Sequence, residues 1–298
     1  MLTNSIMGHR SGFVNIIGRP NVGKSTLMNA MVGEKLSIIT SKAQTTRHRI
    51  LGIVNTPEYQ IVFSDTPGIL DPGYKLQEVM LKAARSALTD ADILVYITET
   101  GEKPDPEDPF LKRMSGMKIP VLLVINKIDL SNQETVQNSI DRWNSVLPGA
   151  EKIPISALEN FNVDLLFSRI LHHLPESPPY FPKDALTDKS ERFLAGEMIR
   201  EKILMNYKQE IPYAVEVEIE TFREEPDLIR ISAVIFTERE SQKGILIGNE
   251  GKALKKVGRD ARMEMESFFR KKVFLEMKVR VNKEWRKSER QIRKFGYH

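Results

Sequence analysis

The sequence predicts an α/β protein: a doubly wound, mostly parallel sheet followed by a second, smaller α+β module. Three observations predict it. Up to about residue 174 short apolar runs alternate with helical patterns, the mark of a sheet covered by helices on both faces. Four prolines, Pro175, Pro178, Pro179 and Pro182, then fall within eight residues, which neither a helix nor a central strand accommodates. Beyond them the pattern changes to the order α-β-β-α-α-β.

The first strand is "FVNII", followed by a glycine-bearing loop and a helix. The stretch "RILGIVNTPEYQIVFSD" contains two β-rich runs joined by Thr56, Pro57 and Glu58, so it reads as a hairpin that adds one antiparallel strand to the sheet. A helical pattern over residues 74–89 leads to the buried-type strands "ILVYI", "VLLVIN" and "KIPIS". Residues 175–182 are expected to form a stiff linker between a first domain of residues 1–174 and a second of residues 183–298. The second opens with a helix whose apolar positions are Phe193, Met198, Ile199, Ile203 and Leu204. Strands "YAVEVEIE" and "LIRISAVIF" follow, then two helical pieces interrupted at residues 248–251, and a last strand "VFLEMKVRV".

Bulk properties fit this picture. The 298 residues are 41% hydrophobic and 28% charged, as in ordinary globular proteins rather than disordered or membrane-embedded ones. No apolar run approaches the roughly 20 residues of a spanning helix. The N-terminal stretch carries no export pattern, so a cytoplasmic location is expected. Cysteine is absent, which excludes disulfides and thiolate metal sites. The net charge of +4 is unevenly spread: residues 1–182 carry −1 and residues 183–242 carry −5, whereas residues 243–298 hold 17 Lys+Arg against 7 Asp+Glu. Such a cationic block suits a polyanion, although a solvated basic helix face would look the same.

The loop Gly18-Arg19-Pro20-Asn21-Val22-Gly23-Lys24-Ser25-Thr26 fits the G-x-x-x-x-G-K-S pattern between a strand and a helix. Glycines let successive backbone N–H groups point at one phosphate, and the helix N-terminus adds positive potential. Lys24 then reaches the outer phosphates and Ser25 offers an oxygen to magnesium. The strand "IVFSD" ends in Asp65-Thr66-Pro67-Gly68, where a carboxylate can hold magnesium's water shell and Gly68 can turn its amide to a γ-phosphate; alone this is also a common turn. After the strand "VLLVIN", Asn126-Lys127-Ile128-Asp129 supplies a carboxylate able to accept from guanine N1–H and its exocyclic amine, whereas adenine presents no donor at N1. Ser156-Ala157 would contact the base edge through backbone.

This ordered set resembles the translation-factor class of P-loop GTPases, over residues 13–174. Within it, "AQTTRHRILGI" and the pair Pro20-Asn21 resemble the Era family. The resemblance implies GTP and GDP as ligands and magnesium as cofactor. It also implies Thr46, or else Thr45, as the switch threonine that ligates magnesium with Ser25 and Asp65. It further implies Asn21 as a ligand for potassium beside the phosphates, against the plainer reading that Asn21 stabilises the loop turn. Where Ras-like enzymes carry a water-orienting glutamine this chain has Ile69, which neither donates nor accepts.

In the second module, Gly248-Asn249-Glu250-Gly251 forms G-x-x-G between two apolar-periodic helices. Such a turn brings helix ends close to a nucleic-acid backbone beside a groove for about four unstacked bases. Together with the α-β-β-α-α-β order it resembles a type II KH domain, and the likeness to the Era family then spans nearly the whole chain. RNA contacts are expected from Ile247 through Gly251 and from Lys252, Lys255, Lys256 and Arg259; Glu250 departs from the basic residue usual in such loops. Trp285 in the tail reads either as a stacking surface or as a core anchor. Asp260, Glu264 and Glu266 read as charge balance on an amphipathic helix rather than as a metal site.

The resemblance implies a GTPase that binds small-subunit ribosomal RNA near its 3′ end and acts in maturation of the small ribosomal subunit. A monomer is expected, and the basic surface suggests at most weak peripheral contact with the inner membrane. Two other readings are a passive RNA-binding protein with an inert nucleotide domain, and a GTPase acting on transfer RNA.

Overall fold

The strands of the first half are almost wholly apolar because both faces of their sheet are covered. The computed structural model describes residues 8–297. Most of the N-terminal stretch read for an export signal lies outside them. The chain divides into two units. The first comprises the described residues up to Ser37, then Thr46–Leu70 and Met80–Asp188; the second comprises Ile38–Thr45, Asp71–Val79 and Lys189 onward.

The first unit is built on β1 (Arg10–Ile17), β2 (Ile50–Asn55), β3 (Tyr59–Asp65), β4 (Ile93–Glu99), β5 (Val121–Asn126) and β6 (Glu151–Pro154). The sheet order is β2-β3-β1-β4-β5-β6, with β2 antiparallel to β3 and every other pair parallel. The expected hairpin is therefore present. Helices α1 (Lys24–Val32), α2 (Lys75–Ser86), α3 (Pro109–Ser115), α4 (Gln133–Val146) and α5 (Val163–His173) connect the strands. Asp108 caps α3 and Asn132 caps α4, each accepting a backbone N–H from the first turn at 2.8 Å. Ile17, Leu94, Tyr96, Leu123, Ile125 and Trp143 form a core on one side of the sheet.

The proline-rich segment differs from a free spacer. Gln60, fully buried on β3, accepts the N–H groups of Tyr180 and Phe181 at 2.7 and 3.0 Å and donates to the Phe181 carbonyl at 2.9 Å. Further along, Ile53 N–H meets the Leu186 carbonyl at 2.8 Å and Leu51 N–H meets Asp188 Oδ1 at 2.9 Å. Proline cannot donate to a sheet ladder, yet the N–H groups of Tyr180 and Phe181 between prolines are met by the Gln60 side chain, and Leu186 and Asp188 beyond the prolines meet the edge strand β2. Thus residues 175–188 pack with the first unit, and the last boundary between the two units falls between Asp188 and Lys189.

The second unit contains α6 (Glu191–Asn206), a short turn α7 (Ile211–Ala214), β7 (Glu216–Glu224), β8 (Leu228–Thr237), α8 (Glu240–Ile247), α9 (Lys252–Phe269), β9 (Lys272–Val281) and α10 (Glu289–Lys294). Its sheet order is β7-β8-β9, antiparallel then parallel. Ile199 and Ile203 of α6, Ile229, Ile231 and Ile235 of β8, and Val257, Ala261 and Met265 of α9 form its core. Trp285 is an anchor rather than a stacking surface: it is fully buried and its indole N–H donates to the Ala214 carbonyl at 2.9 Å. Among the described residues no helix is long and apolar enough to cross a membrane.

Candidate nucleotide site and basic helix face

Gly18 through Gly23 connect β1 to α1. A Cβ on Gly18 would lie 2.2 Å from the Ile97 carbonyl oxygen, so the loop passes too close to β4 for any side chain there. Arg19 pairs with Glu102 at 3.1 Å. Asn21 adopts φ 65°, a left-handed conformation that asparagine tolerates. Val22 is buried, and Thr26 follows Ser25 in the first turn of α1.

Lys24 is buried, and its ammonium donates to the carbonyls of Arg19 and Gly18 at 2.7 and 3.2 Å. Burial lowers its pKa to about 8 against the opposing pull of Asp65 and Glu102. The free protein thus releases this proton above about pH 8, while the unfolded chain keeps it to about 10.5. Unfolding takes up a proton in that window, so the free protein's stability rises with pH across it. Bound phosphates would favour the charged amine and raise its pKa. Nucleotide affinity is therefore expected to be constant below about pH 7 and about tenfold weaker by pH 9, as a titration of GDP binding across that range would show.

Three oxygens converge beside the loop. Ser25 donates to Asp65 Oδ2 at 2.7 Å, Thr46 donates to the same oxygen at 3.2 Å, and the two hydroxyls lie 2.9 Å apart. Thr45 faces elsewhere: its hydroxyl donates to the Lys42 carbonyl at 2.6 Å and meets Thr40 Oγ1 at 2.6 Å. Burial raises the Asp65 pKa, opposed by the hydroxyls of Ser25 and Thr46 and the charge of Lys24. Asp65 Oδ1 is buried and accepts no hydrogen bond from the described residues. A desolvated carboxylate with a spare oxygen beside two hydroxyls is a hard oxygen donor set of the kind magnesium takes. Thr66 donates to the Ile16 carbonyl at 2.8 Å, fixing the end of β3 against β1. Pro67 is buried, Gly68 packs on the ring and backbone of Pro20, and Ile69 N–H donates to the Gly18 carbonyl at 3.1 Å.

Beyond β5, Asn126 serves the site as a strut. Its amide donates to the Val22 carbonyl at 2.8 Å and its oxygen accepts the Ala157 N–H at 2.9 Å, so it ties the phosphate loop to the loop after β6. Lys127, at φ 62°, pairs with Glu99 at 2.6 Å. Ile128 N–H reaches the Ile155 carbonyl at 3.3 Å, and Asp129 stands exposed in the turn Ile128–Leu130. Ser156 is buried, exchanges backbone hydrogen bonds with Phe161, and its hydroxyl accepts the Glu159 N–H at 3.2 Å. The phosphate loop, Asp65, Thr46 and both base-edge loops thus meet at one end of the sheet, at the carboxyl ends of β1, β3, β5 and β6.

In the second unit Gly248 and Gly251 take φ 70° and 74°, and Glu250 between them takes φ 51°. A Cβ on Gly248 would meet Ala253 Cβ at 2.7 Å, which explains the glycine at the turn into α9. Glu250 pairs with Lys252 at 2.9 Å, both side chains being exposed. Asn249 is exposed, and Ile247 is half-buried at the end of α8. Val257, Ala261 and Met265 bury one face of α9, leaving Lys255, Lys256 and Arg259 exposed on another. Asp260 lies 3.5 Å from Arg259, Glu264 pairs with Lys202, and Glu266 accepts the Val273 N–H at 3.1 Å. No group of three or more His, Asp or Glu among the described residues is arranged to hold a metal ion.

Comparison with known proteins places these features in context. Residues 13–127 match the family model described as 50S ribosome-binding GTPase, and residues 210–286 match the KH domain model. The chain is 49% identical over 292 residues to GTPase Era of Syntrophus aciditrophicus, covering 97% of this chain and 95% of that one. It is 45% identical over 294 residues to GTPase Era of Alkaliphilus metalliredigens, covering 98% and 100%. A crystal structure of Era in complex with MgGDPNP and nucleotides 1506–1542 of 16S ribosomal RNA superposes with a TM-score of 0.92 at 40% identity, covering 97% of this chain and 99% of that one. A tyrosine-to-alanine variant of Aquifex aeolicus Era bound to GDP·AlF4− matches with the same TM-score, identity and coverage.

Proposed function

The chain belongs to the family of GTPase Era, and we propose that it hydrolyses GTP in a cycle of binding to small-subunit ribosomal RNA near its 3′ end during maturation of the small ribosomal subunit. The reading rests on one combination: the convergence of Ser25, Thr46 and Asp65 beside the phosphate loop, in a chain similar along its length to an Era bound to MgGDPNP and 16S rRNA. The first unit serves as the nucleotide domain and the second as the RNA-binding domain, acting as a monomer in the cytoplasm.

Backbone N–H groups of residues 18–26 and the Lys24 ammonium hold the phosphates, and Asp129 accepts from the guanine edge. Ser25, Thr46 and Asp65, whose oxygens converge beside the loop, would hold magnesium, and it would neutralise charge on the outer phosphates. In hydrolysis a water oxygen bonds to the γ-phosphorus as the bond to the β,γ-bridging oxygen breaks, giving GDP and phosphate. Ile69 offers that water no polar side-chain group, so its orientation falls to another group: backbone, magnesium, a different side chain or a partner. Asn21 would help to hold potassium; equal turnover in potassium and sodium buffers would remove that role.

RNA binding is tested on the exposed cations of α9. Replacing Lys255, Lys256 and Arg259 together by alanine is expected to weaken binding of a 3′-terminal small-subunit rRNA fragment by about 100-fold or more. The slope of log affinity against log salt should fall by about 2, at roughly 0.7 per phosphate contact on single strands. Crosslinked cellular reads concentrated on transfer RNA instead would overturn the ribosomal assignment while leaving the GTPase intact.

A further inference from the structure

Residues Ile38–Thr45 fold as part of the second unit and end one peptide bond before Thr46. Three polar anchors hold them to α6. Glu201, buried, accepts the Ile39 N–H at 3.0 Å. Lys42 donates to the Tyr207 carbonyl at 2.8 Å and to the Leu204 carbonyl, at the end of α6 where helix carbonyls lack intrahelical donors. Arg200, fully buried, donates from Nη2 to the Thr45 carbonyl, while its Nε and Nη2 bind Glu197 at 2.7 and 2.6 Å.

A buried arginine is costly unless its charge is met, and Glu197 meets it. The pair alone would make α6 no more stable than apolar residues of the same size would. What the guanidinium adds is a grip on one backbone carbonyl. A peptide unit is planar, so fixing the Thr45 carbonyl fixes the Thr45–Thr46 plane and with it the direction in which Thr46 leaves. The Thr46 hydroxyl then lies 2.9 Å from Ser25 and 3.2 Å from Asp65. The same helix is tied to the basic helix α9, because Lys202 binds Glu201 at 2.8 Å and also Glu264.

We propose that Arg200 is a positioning residue for the GTP-bound state: it holds the Thr45 carbonyl so that Thr46 is presented to magnesium. The inference rests on the reading of Thr46 as a magnesium ligand. Because GDP lacks the γ-phosphate that such a threonine accompanies, the role predicts a selective defect.

The test uses the full chain with Arg200→Met, Arg200→Lys and Lys42→Met. Amide hydrogen exchange over residues 38–46 in nucleotide-free protein should accelerate at least tenfold in Arg200→Met. Its half-saturating magnesium concentration for GTP binding should rise five- to tenfold, with GDP affinity within twofold of the parent. Arg200→Lys, which keeps the charge beside Glu197 and one donor, should recover part of both effects. Lys42→Met acts at a partly exposed site and shifts the same readouts in the same direction, so the test survives if Arg200→Met does not fold. Unchanged magnesium dependence in the variants, or equal loss of GDP and GTP binding, would overturn the positioning role. A parent protein with no magnesium-dependent GTP binding would instead overturn the family reading and this inference with it.

Discussion

Asp129→Asn is expected to weaken GTP and GDP binding by roughly 10³-fold or more, while xanthosine nucleotides gain affinity. A carboxylate accepts both N1–H and the exocyclic amine of guanine. The amide of asparagine turns one of those acceptors into a donor, which then faces the guanine amine donor to donor. A site built to hydrogen-bond one pattern rejects the wrong one by factors of about 10⁴, because a desolvated polar group is left without a partner. Xanthine carries an oxygen where guanine carries the amine, so it fits the altered pattern. Asp129 is exposed, and its turn is held by others: Ile128 N–H on the Ile155 carbonyl and the Ser131 hydroxyl 2.6 Å from that of Thr100. The fold should therefore be unaffected, with stability changed by no more than about 0.5 kcal/mol. Equilibrium binding of fluorescent GDP and XDP decides the matter; unaltered GDP affinity would remove Asp129 from the base-binding role.

Much of the nucleotide end was legible in the sequence because its chemistry is local. Glycines, a lysine and a hydroxyl must stand at fixed spacing for a backbone to wrap a phosphate, and that spacing is visible without a fold. The strands announced themselves by unbroken apolar runs, and the hairpin by Thr56-Pro57-Glu58 between two of them. Asn126 was legible as a member of the guanine motif, but its work as a strut was not, since its partners Val22 and Ala157 lie 104 and 31 residues away.

The second unit hid more. Glu197, Arg200 and Glu201 read as ordinary charges on a helix whose apolar positions suffice to explain it, yet α6 buries all three. The reason lies in Ile38–Thr45, which covers them from about 160 residues upstream, and nothing in local periodicity signals such a cover. In the tail the anchor reading of Trp285 was available from the sequence, but its partners were not: it is locked under the Ala214 carbonyl, and the Tyr297 hydroxyl donates to buried Glu216 at 2.7 Å. That Thr46 rather than Thr45 stands within 3.2 Å of Ser25 and Asp65 depends on the fold of the loop and not on local spacing.

Gly23→Ala carries the other large expected effect, and it reaches both halves of the nucleotide site at once. Gly23 adopts φ 102°, where an L side chain is strained by about 1–2 kcal/mol. A Cβ there would also lie 2.3 Å from Asn126 Nδ2. That amide nitrogen is not a free end: it donates to the Val22 carbonyl, and the oxygen beside it accepts from Ala157. Moving it out of the way breaks the strut between phosphate loop and base-edge loop, and leaves two buried backbone groups without partners at roughly 1–3 kcal/mol each. Gly33 separates the two contributions. Its φ of 80° is similarly left-handed, but nothing lies within 4 Å of a Cβ built on it. Gly33→Ala should therefore cost only the backbone strain, about 1 kcal/mol in a urea titration, with GDP affinity preserved. Gly23→Ala should lose GDP affinity by about 100-fold or more and several times as much stability. Equal behaviour of the two variants would mean that the site yields to the added methyl, and that the link from Asn126 to the phosphate loop is dispensable for holding nucleotide.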